Sequence, residues 1–140
     1  MAAATAPLAV FLVEDNALIR ENLVVALEEL VDMQVIAWAE TEGDAAAWLH
    51  SHPAGWRLAV IDLFLREGSG LGVLRACRDR SVGQRAVVLT NYADVDIRAR
   101  CLALGADAVF DKSTELDAFL EFCGAAQAGT QGGATDRPAF

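Results

Sequence analysis

Five short apolar runs recur along the chain, and each gives way to polar residues. They cover residues 8–13, 34–39, 58–61, 86–89 and 108–110. Continuous apolar runs of this length are typical of strands buried on both faces, whereas strands with one wet face alternate apolar and polar positions. The pattern therefore predicts five short strands inside a covered sheet.

Helical patterns follow these runs. Residues 17–30 place apolar side chains on one helical face, at Ile19, Leu23, Ala26, Leu27 and Leu30. Four further helices are predicted over residues 42–49, 70–80, 94–104 and 115–126. Residues 41–44 and 114–117 each open with Thr and have the spacing of N-terminal capping boxes, and Gly105 is placed to end the fourth helix.

The alternation of strands and helices predicts the fold class. It is α/β, a doubly wound five-stranded parallel sheet with helices on both faces. The expected strand order is the flavodoxin-like 2-1-3-4-5, which makes the first and third strands neighbours. The predicted domain spans residues 8–127. Residues 1–7 are interpreted as an N-terminal extension, and residues 128–140, rich in Gly, Thr and Ala, as a disordered tail.

Net charge narrows the classes of partner. Eleven basic residues against twenty acidic ones give the 140-residue chain a net charge of −9. A surface of that sign repels nucleic acid phosphates and anionic lipids, so we expect no nucleic acid and no membrane as partner. Arg75, Arg78 and Arg80 are accordingly interpreted as a solvated helix face.

The compartment follows from what the sequence lacks. No apolar run approaches the ~20 residues of a membrane helix, and the first residues do not resemble a signal peptide. Cys77, Cys101 and Cys123 are odd in number and widely spaced. They fit reduced thiols rather than disulfides or a zinc site, so we expect a cytoplasmic protein.

Polar residues stand at the ends of the predicted strands. Glu14 and Asp15 follow the first, Asp62 ends the third, Thr90 ends the fourth and Lys112 follows the fifth. Open α/β sheets bind ligands beyond the carboxyl ends of their strands, so we expect these side chains to converge. Two carboxylates ~4 Å apart repel by about 4 kcal/mol at an effective dielectric of ~20, so the cluster calls for a proton or a cation. Oxygen-only ligands suit Mg²⁺.

Lys112 is the only lysine of the chain; the other ten basic residues are arginines. A compact ammonium group differs from a guanidinium fork where one phosphoryl oxygen must be contacted. Lys112 is therefore a candidate for that contact.

These residues, each at its strand end, resemble the receiver domain of bacterial two-component response regulators. The resemblance covers about residues 8–126. It is carried by the stretches FLVEDN, VIDLFLREGSG, VVLTNYAD and GADAVFDKST, which occur in this order at receiver-like spacing.

The resemblance implies a stand-alone response regulator with Asp62 as phospho-acceptor. The phosphoryl group would come from a sensor histidine kinase or a histidine phosphotransfer protein. Mg²⁺ would be held by Asp15 and Asp62, by Glu14 through water, and by the main-chain carbonyl of Phe64. The only reactions catalysed would be the chain's own aspartyl phosphorylation and dephosphorylation.

Further implications of the resemblance concern the phosphoryl group and the output. Thr90 and Lys112 would hold the phosphoryl oxygens. A downstream protein would dock on the face made by the fourth helix, fifth strand and fifth helix, about residues 94–104, 108–110 and 115–126. Family members also pair through this face, so a homodimer is left open.

The sequence departs from the family pattern at several positions. Val109 stands where most receivers have an aromatic residue that couples to the Thr, and alternation points Phe110 to the opposite face. Ser113 replaces a proline that is often preceded by a cis bond, and a trans bond is expected here. Phe64 and Tyr92 flank the site, and we hypothesise that they prolong the life of the phosphoryl group.

Two alternatives stay open. The chain could be a pseudo-receiver, a docking module that works unphosphorylated, or a receiver cut from a longer regulator. Two enzyme-like classes are disfavoured. A haloacid-dehalogenase-type phosphatase would want an Asp where Phe64 stands, and a flavodoxin would not place Glu14 and Asp15 against its flavin phosphate.

Overall fold

The computed structural model describes residues 7–131. Most of the predicted extension and residues 132–140 of the predicted tail lie outside the described residues. The strands are β1 Leu8–Val13, β2 Met33–Ala39, β3 Leu58–Ile61, β4 Arg85–Thr90 and β5 Ala108–Asp111. The helices are α1 Ala17–Leu30, α2 Glu42–Ser51, α3 Gly70–Ala76, α4 Val95–Ala103 and α5 Leu116–Gln131.

The five strands form one parallel sheet in the order β2-β1-β3-β4-β5, so the predicted fold class and strand order are confirmed. The register aligns the last residues of neighbouring strands. Val13 of β1 pairs with Ile61 of β3, and Thr90 of β4 pairs with Asp111 of β5. The residues that follow these strands therefore emerge along one edge.

Two apolar layers cover the sheet because successive strand side chains point to opposite faces. On one face Phe11 and Val13 pack against α2, α3 and α4. On the other, Val10 and Leu12 pack against α1 and α5. None of the helices within residues 7–131 combines the length and hydrophobicity of a membrane span.

Two predicted helix-end signals, Thr41 and Gly105, are found in the structure, together with an N-cap at Asp94 that was not predicted. The Thr41 hydroxyl accepts a hydrogen bond from the Asp44 amide at 3.1 Å and caps α2. Asp94 caps α4 by accepting from the Ile97 amide at 2.8 Å. Gly105, with a φ of +103°, follows α4 in the left-handed conformation that favours glycine.

Both ends of α5 were predicted wrongly. α5 begins at Leu116, and the Glu115 carbonyl rather than that of Thr114 accepts its first helical bond, from Phe119. The helix also continues to Gln131, five residues further than predicted. The Thr114 capping box is displaced because Asp111 draws the Ser113 and Thr114 amides into a turn of its own.

The predicted third helix is too long, and the interpretation of Arg80 as part of a solvated face is wrong. α3 ends at Ala76. The Arg80 side chain is only 10% exposed. It turns inward to donate to the carbonyls of Cys77, Gln84 and Gly105 and to the Asp107 carboxylate. These bonds draw the chain out of the helix.

Candidate functional site

The loop between β1 and α1 holds Glu14 at the carboxyl-terminal edge of the sheet. Glu14 is 1% exposed, and its amide donates to the Ala39 carbonyl of β2 at 3.0 Å. Asn16 caps α1 through the Ile19 amide, and its own amide donates to Glu14 Oε2 at 3.2 Å. The acidic loop is thus fixed at both of its ends.

Glu14, Asp15 and Asp62 converge as predicted. Each offers a carboxylate oxygen, and these oxygens all lie within 4.8 Å of one another. Glu14 and Asp62 are buried, while Asp15 is partly exposed. A set of oxygen ligands with one side open to solvent fits Mg²⁺, which keeps several of its waters.

Lys112 is the one cationic side chain that contacts this cluster among the described residues. Its Nζ lies 2.7 Å from Glu14 Oε1 and 3.4 Å from Asp62 Oδ2. The Lys112 amide donates to the Thr90 carbonyl at 2.9 Å, which places the lysine beside the end of β4. One ammonium group faces three carboxylates, so the cluster keeps a net negative charge when the carboxylates are ionised.

Burial raises the pKa of Asp62 from 3.8 to about 6. Removal from water is the main cause. Lys112 opposes it, and the charge of Glu14 adds to it. At pH 7 most Asp62 side chains are still ionised, so a nucleophilic carboxylate is available in an environment that on balance disfavours its charge.

Thr90 differs from the other predicted site residues. It lies at the same edge of the sheet but is fully buried, and its hydroxyl accepts the Tyr92 amide at 3.3 Å. It does not line the cleft beside the cluster, which is formed by Glu14, Asp15, Asn16, Ile19, Asp62, Phe64, Asn91, Tyr92 and Lys112.

Two aromatic rings stand at the mouth of this cleft. The ring centroids of Phe64 and Tyr92 are 4.7 Å apart in an edge-to-face arrangement. More than half of each side chain is exposed, at 53% and 61%. Exposing large aromatic rings to water is unfavourable. Their position over a polar cleft therefore favours a role in controlling which molecules enter the cleft.

Sequence reasoning missed three charged residues beside the acidic loop, Arg20, Glu40 and Arg66. Arg20 pairs with Glu40, which also pairs with Arg66. A signal for Arg20 was present: it lies on the face of α1 that carries Leu23 and Leu27, where an arginine must find partners.

On the side of the molecule formed by α4, β5 and α5, hydrogen bonds from an α4 arginine join β5 at Val109 to the residue before α5. Val109 is buried against the α2–α4 layer, whereas Phe110 packs on Phe119 and Phe122 of α5, so the predicted alternation is confirmed. Arg98 of α4 donates to the Val109 carbonyl at 2.9 Å and to Glu115 at 2.7 Å. The described residues contain no cis peptide, so the Lys112–Ser113 bond is trans as predicted.

Comparisons with known proteins all point to one family. The response regulator receiver domain family matches residues 10–123. The acid tolerance regulatory protein ActR of Rhizobium meliloti is 34% identical over 109 residues, which are 78% of this chain and 54% of ActR. The virulence transcriptional regulatory protein PhoP of Salmonella typhimurium is 36% identical over 98 residues, 70% of this chain and 42% of PhoP. The chain spans about half the length of the curated relatives it matches.

Solved structures share the fold. A two-component response regulator of the LuxR family from Aurantimonas sp. SI85-9A1 superimposes with a TM-score of 0.76 at 22% identity, covering 88% of this chain and 86% of that one. The response regulator domain of Thermotoga maritima CheB gives 0.74 at 16% identity, covering 87% and 97%.

Proposed function

The chain belongs to the response regulator receiver domain family, and from that premise we propose that Asp62 accepts a phosphoryl group in a Mg²⁺-dependent reaction. Receiver domains are signalling modules of two-component systems rather than enzymes with a separate substrate. The donor is a sensor histidine kinase or a histidine phosphotransfer protein. The output is a phosphorylation-dependent contact with another protein.

The reaction transfers the phosphoryl group between two nucleophiles. An oxygen of the Asp62 carboxylate attacks phosphorus, a P–O bond forms, and the P–N bond to the donor histidine breaks. The imidazole leaves with the bonding electron pair. Such transfers depend on positioning and on neutralising the phosphoryl oxygens rather than on covalent chemistry by further groups.

The observation that carries this proposal is the placement of Lys112 between Glu14 and Asp62. An ammonium group beside the acceptor carboxylate can move to a phosphoryl oxygen once Asp62 is phosphorylated. Mg²⁺, when held by Asp15, Asp62 and the Phe64 carbonyl, and by Glu14 through water, would supply the remaining positive charge. The Thr90 hydroxyl accepts from the Tyr92 amide, and its own proton would be donated to a phosphoryl oxygen.

Phosphorylation adds a charge of about −1.5 to −2, by analogy with phosphorylated hydroxyls. In this chain the β5–α5 loop that carries Lys112 is joined to α4 by Arg98 and Glu115. A shift of Lys112 therefore reaches the α4–β5–α5 face, where a downstream protein or a second copy would dock. The net charge of −9 favours neither nucleic acid nor membrane as that partner.

A pseudo-receiver that docks unphosphorylated is the second candidate. Val109 favours it, because the residue lacks the ring that couples to Thr90 in most receivers. The three carboxylates and Lys112 disfavour it, since a module that is never phosphorylated would gain nothing from an unbalanced acidic cluster.

Intact mass after incubation with acetyl phosphate tests the first proposal. We expect one phosphoryl adduct that needs Mg²⁺ and is lost in Asp62→Asn. Asp79→Asn is the matched control, because Asp79 is exposed and lies beyond α3, away from the cleft. An adduct that persists in Asp62→Asn would contradict the assignment of the acceptor.

A folded chain that forms no adduct would be tested next with phosphorylated histidine phosphotransfer protein as donor. Failure with both donors would overturn the proposal in favour of the pseudo-receiver.

A further inference from the structure

Arg20 is a charged side chain that is almost removed from solvent beside the acidic loop. It lies on α1 and is 8% exposed. Its Nη1 donates to the main-chain oxygen of Glu14 at 3.0 Å and lies 3.0 Å from Glu40 Oε2. A buried guanidinium group is stable only when its donors are satisfied, so these two acceptors determine where it sits.

The indole of Trp38 closes the third side of Arg20. The guanidinium carbon lies 3.8 Å from the ring centroid. Stacking on an aromatic face suits the planar guanidinium group and limits its rotamers. Arg20 is therefore held from β2 and from the loop that follows it, as well as from its own helix.

Both main-chain polar groups of Glu14 are held by hydrogen bonds. Its amide donates to Ala39, and its carbonyl accepts from Arg20. With the backbone fixed in this way, the side chain reaches Lys112 at 2.7 Å and the cluster with Asp15 and Asp62. Glu40 itself is fixed by a second arginine, Arg66, at 2.9 Å.

We propose that Arg20 is a positioning residue for the Mg²⁺ site. By holding the Glu14 carbonyl and Glu40 together, it keeps the Glu14–Asp15 loop at the separation from Asp62 that lets the carboxylates share one cation. The inference rests on the proposed function, because it presupposes Mg²⁺ binding by this cluster.

For the removal of Arg20, a positioning role and a purely electrostatic role predict opposite changes in Mg²⁺ affinity. If Arg20 acts only through its charge, its removal strengthens cation binding, since a positive group near the acids is lost. If Arg20 positions the loop, its removal weakens binding although the site becomes more negative. Residues that orient metal ligands typically contribute 10–100-fold to metal affinity.

The test is the Mg²⁺ dissociation constant, measured by titration calorimetry on the unphosphorylated chain. We expect Arg20→Met and Glu40→Gln each to weaken Mg²⁺ binding about tenfold, the low end of such effects. Arg66→Met is the matched control, because it removes the same charge from the other oxygen of Glu40 without touching Glu14. It should change the constant less than twofold.

Binding by Arg20→Met that equals or exceeds that of the unchanged chain would overturn the inference, as would an equal loss in Arg66→Met. If Arg20→Met does not fold, Arg20→Gln decides by the same criterion, because it removes the same charge and is too short to hold both the Glu14 carbonyl and Glu40. An unchanged chain that binds no Mg²⁺ would overturn the proposed function as well, so the two failures are distinguishable.

Discussion

Gln84 at the amino-terminal edge of the sheet and Asp62 at the carboxyl-terminal edge are buried to nearly the same extent, with 5% and 7% of their surface exposed. The Gln84 amide group donates to the carbonyls of Pro53 and Trp56, and its oxygen accepts from Ser81. Asp62 has one cation, at 3.4 Å, and two carboxylates as neighbours. Gln84 therefore has hydrogen-bond partners for its donors and its acceptor, whereas the negative charge of Asp62 is only partly neutralised.

The same contrast holds for the basic residues of the two edges. Arg80 donates to three carbonyls and one carboxylate, so four of its five N–H donors are already used within the fold. Lys112 is shared by two acids and has room in the cleft beside it. Burial alone therefore does not distinguish a polar residue with a structural role from one in the functional site. An unbalanced charge beside an open cleft does distinguish them.

The strongest test of this contrast is Arg80→Met. It removes the Arg80 donor from the carbonyls of Cys77, Gln84 and Gly105 and leaves Asp107 with the Ala86 amide only, so we expect the free energy of unfolding to fall by about 2–4 kcal/mol. Urea denaturation measures it. Arg78→Met, an exposed neighbour, should change stability by less than about 0.5 kcal/mol.

The chain with Arg80→Met should still accept a phosphoryl group at temperatures where it is folded. A loss of phosphorylation in a folded Arg80→Met chain would break the division between the two edges.

Asp62→Asn should act in the opposite direction. The raised pKa of Asp62, about 6, means that its charge is costly in the folded state, by about 1–3 kcal/mol. The amide removes that charge at nearly constant shape, so we expect Mg²⁺-free unfolding at pH 8 to require about 1–3 kcal/mol more. A destabilised Asp62→Asn would show that the Lys112 contact outweighs the burial of the charge.

The pH dependence sharpens the same point. Above pH 6 both the folded and the unfolded chain carry ionised Asp62, and the cost is fully present. As pH falls through 6 the folded chain takes up the proton first, so the cost declines and disappears near 3.8, where the unfolded chain also protonates. The stability difference between Asp62→Asn and the unchanged chain should fall by about half between pH 7 and pH 5. A constant difference would contradict the raised pKa.

The fold could be predicted because its signals are local. Four strands have buried apolar centres as predicted, but β2 is an edge strand that alternates and exposes Ile36 and Trp38 by 41% and 52%, so its predicted burial on both faces is wrong. Thr41 and Gly105 mark helix ends through bonds to their own neighbours. The convergence of Glu14, Asp15 and Asp62 also follows from local information, since strand ends meet at one edge of a parallel sheet.

The features that could not be predicted depend on long side chains reaching across loops. Arg20 meets Glu40 and Arg80 meets Asp107 over 20 and 27 residues of sequence, and no pattern specifies such pairs. Arg80 also ends α3 early, because tertiary hydrogen bonds outweigh the helical pattern of residues 77–80. The enclosed hydroxyl of Thr90 depends on the path of the Tyr92 amide, which is likewise a matter of loop conformation.

The smallest expected effect concerns the aromatic pair Phe64 and Tyr92 at the cleft. These rings are exposed, unlike the hydrogen-bonded Gln84 and Arg80 at the opposite edge of the sheet. Phe64→Ala should speed the loss of the phosphoryl group after acetyl phosphate is removed by about threefold, or ~0.7 kcal/mol in the barrier, because water reaches the acyl phosphate more freely. Tyr92→Ala should do the same, while Tyr92→Phe should not, since the ring rather than the hydroxyl contacts Phe64. Unchanged decay in both alanine variants would mean that the rings leave access to the cleft open, and the carboxylates and Lys112 alone would then set the lifetime.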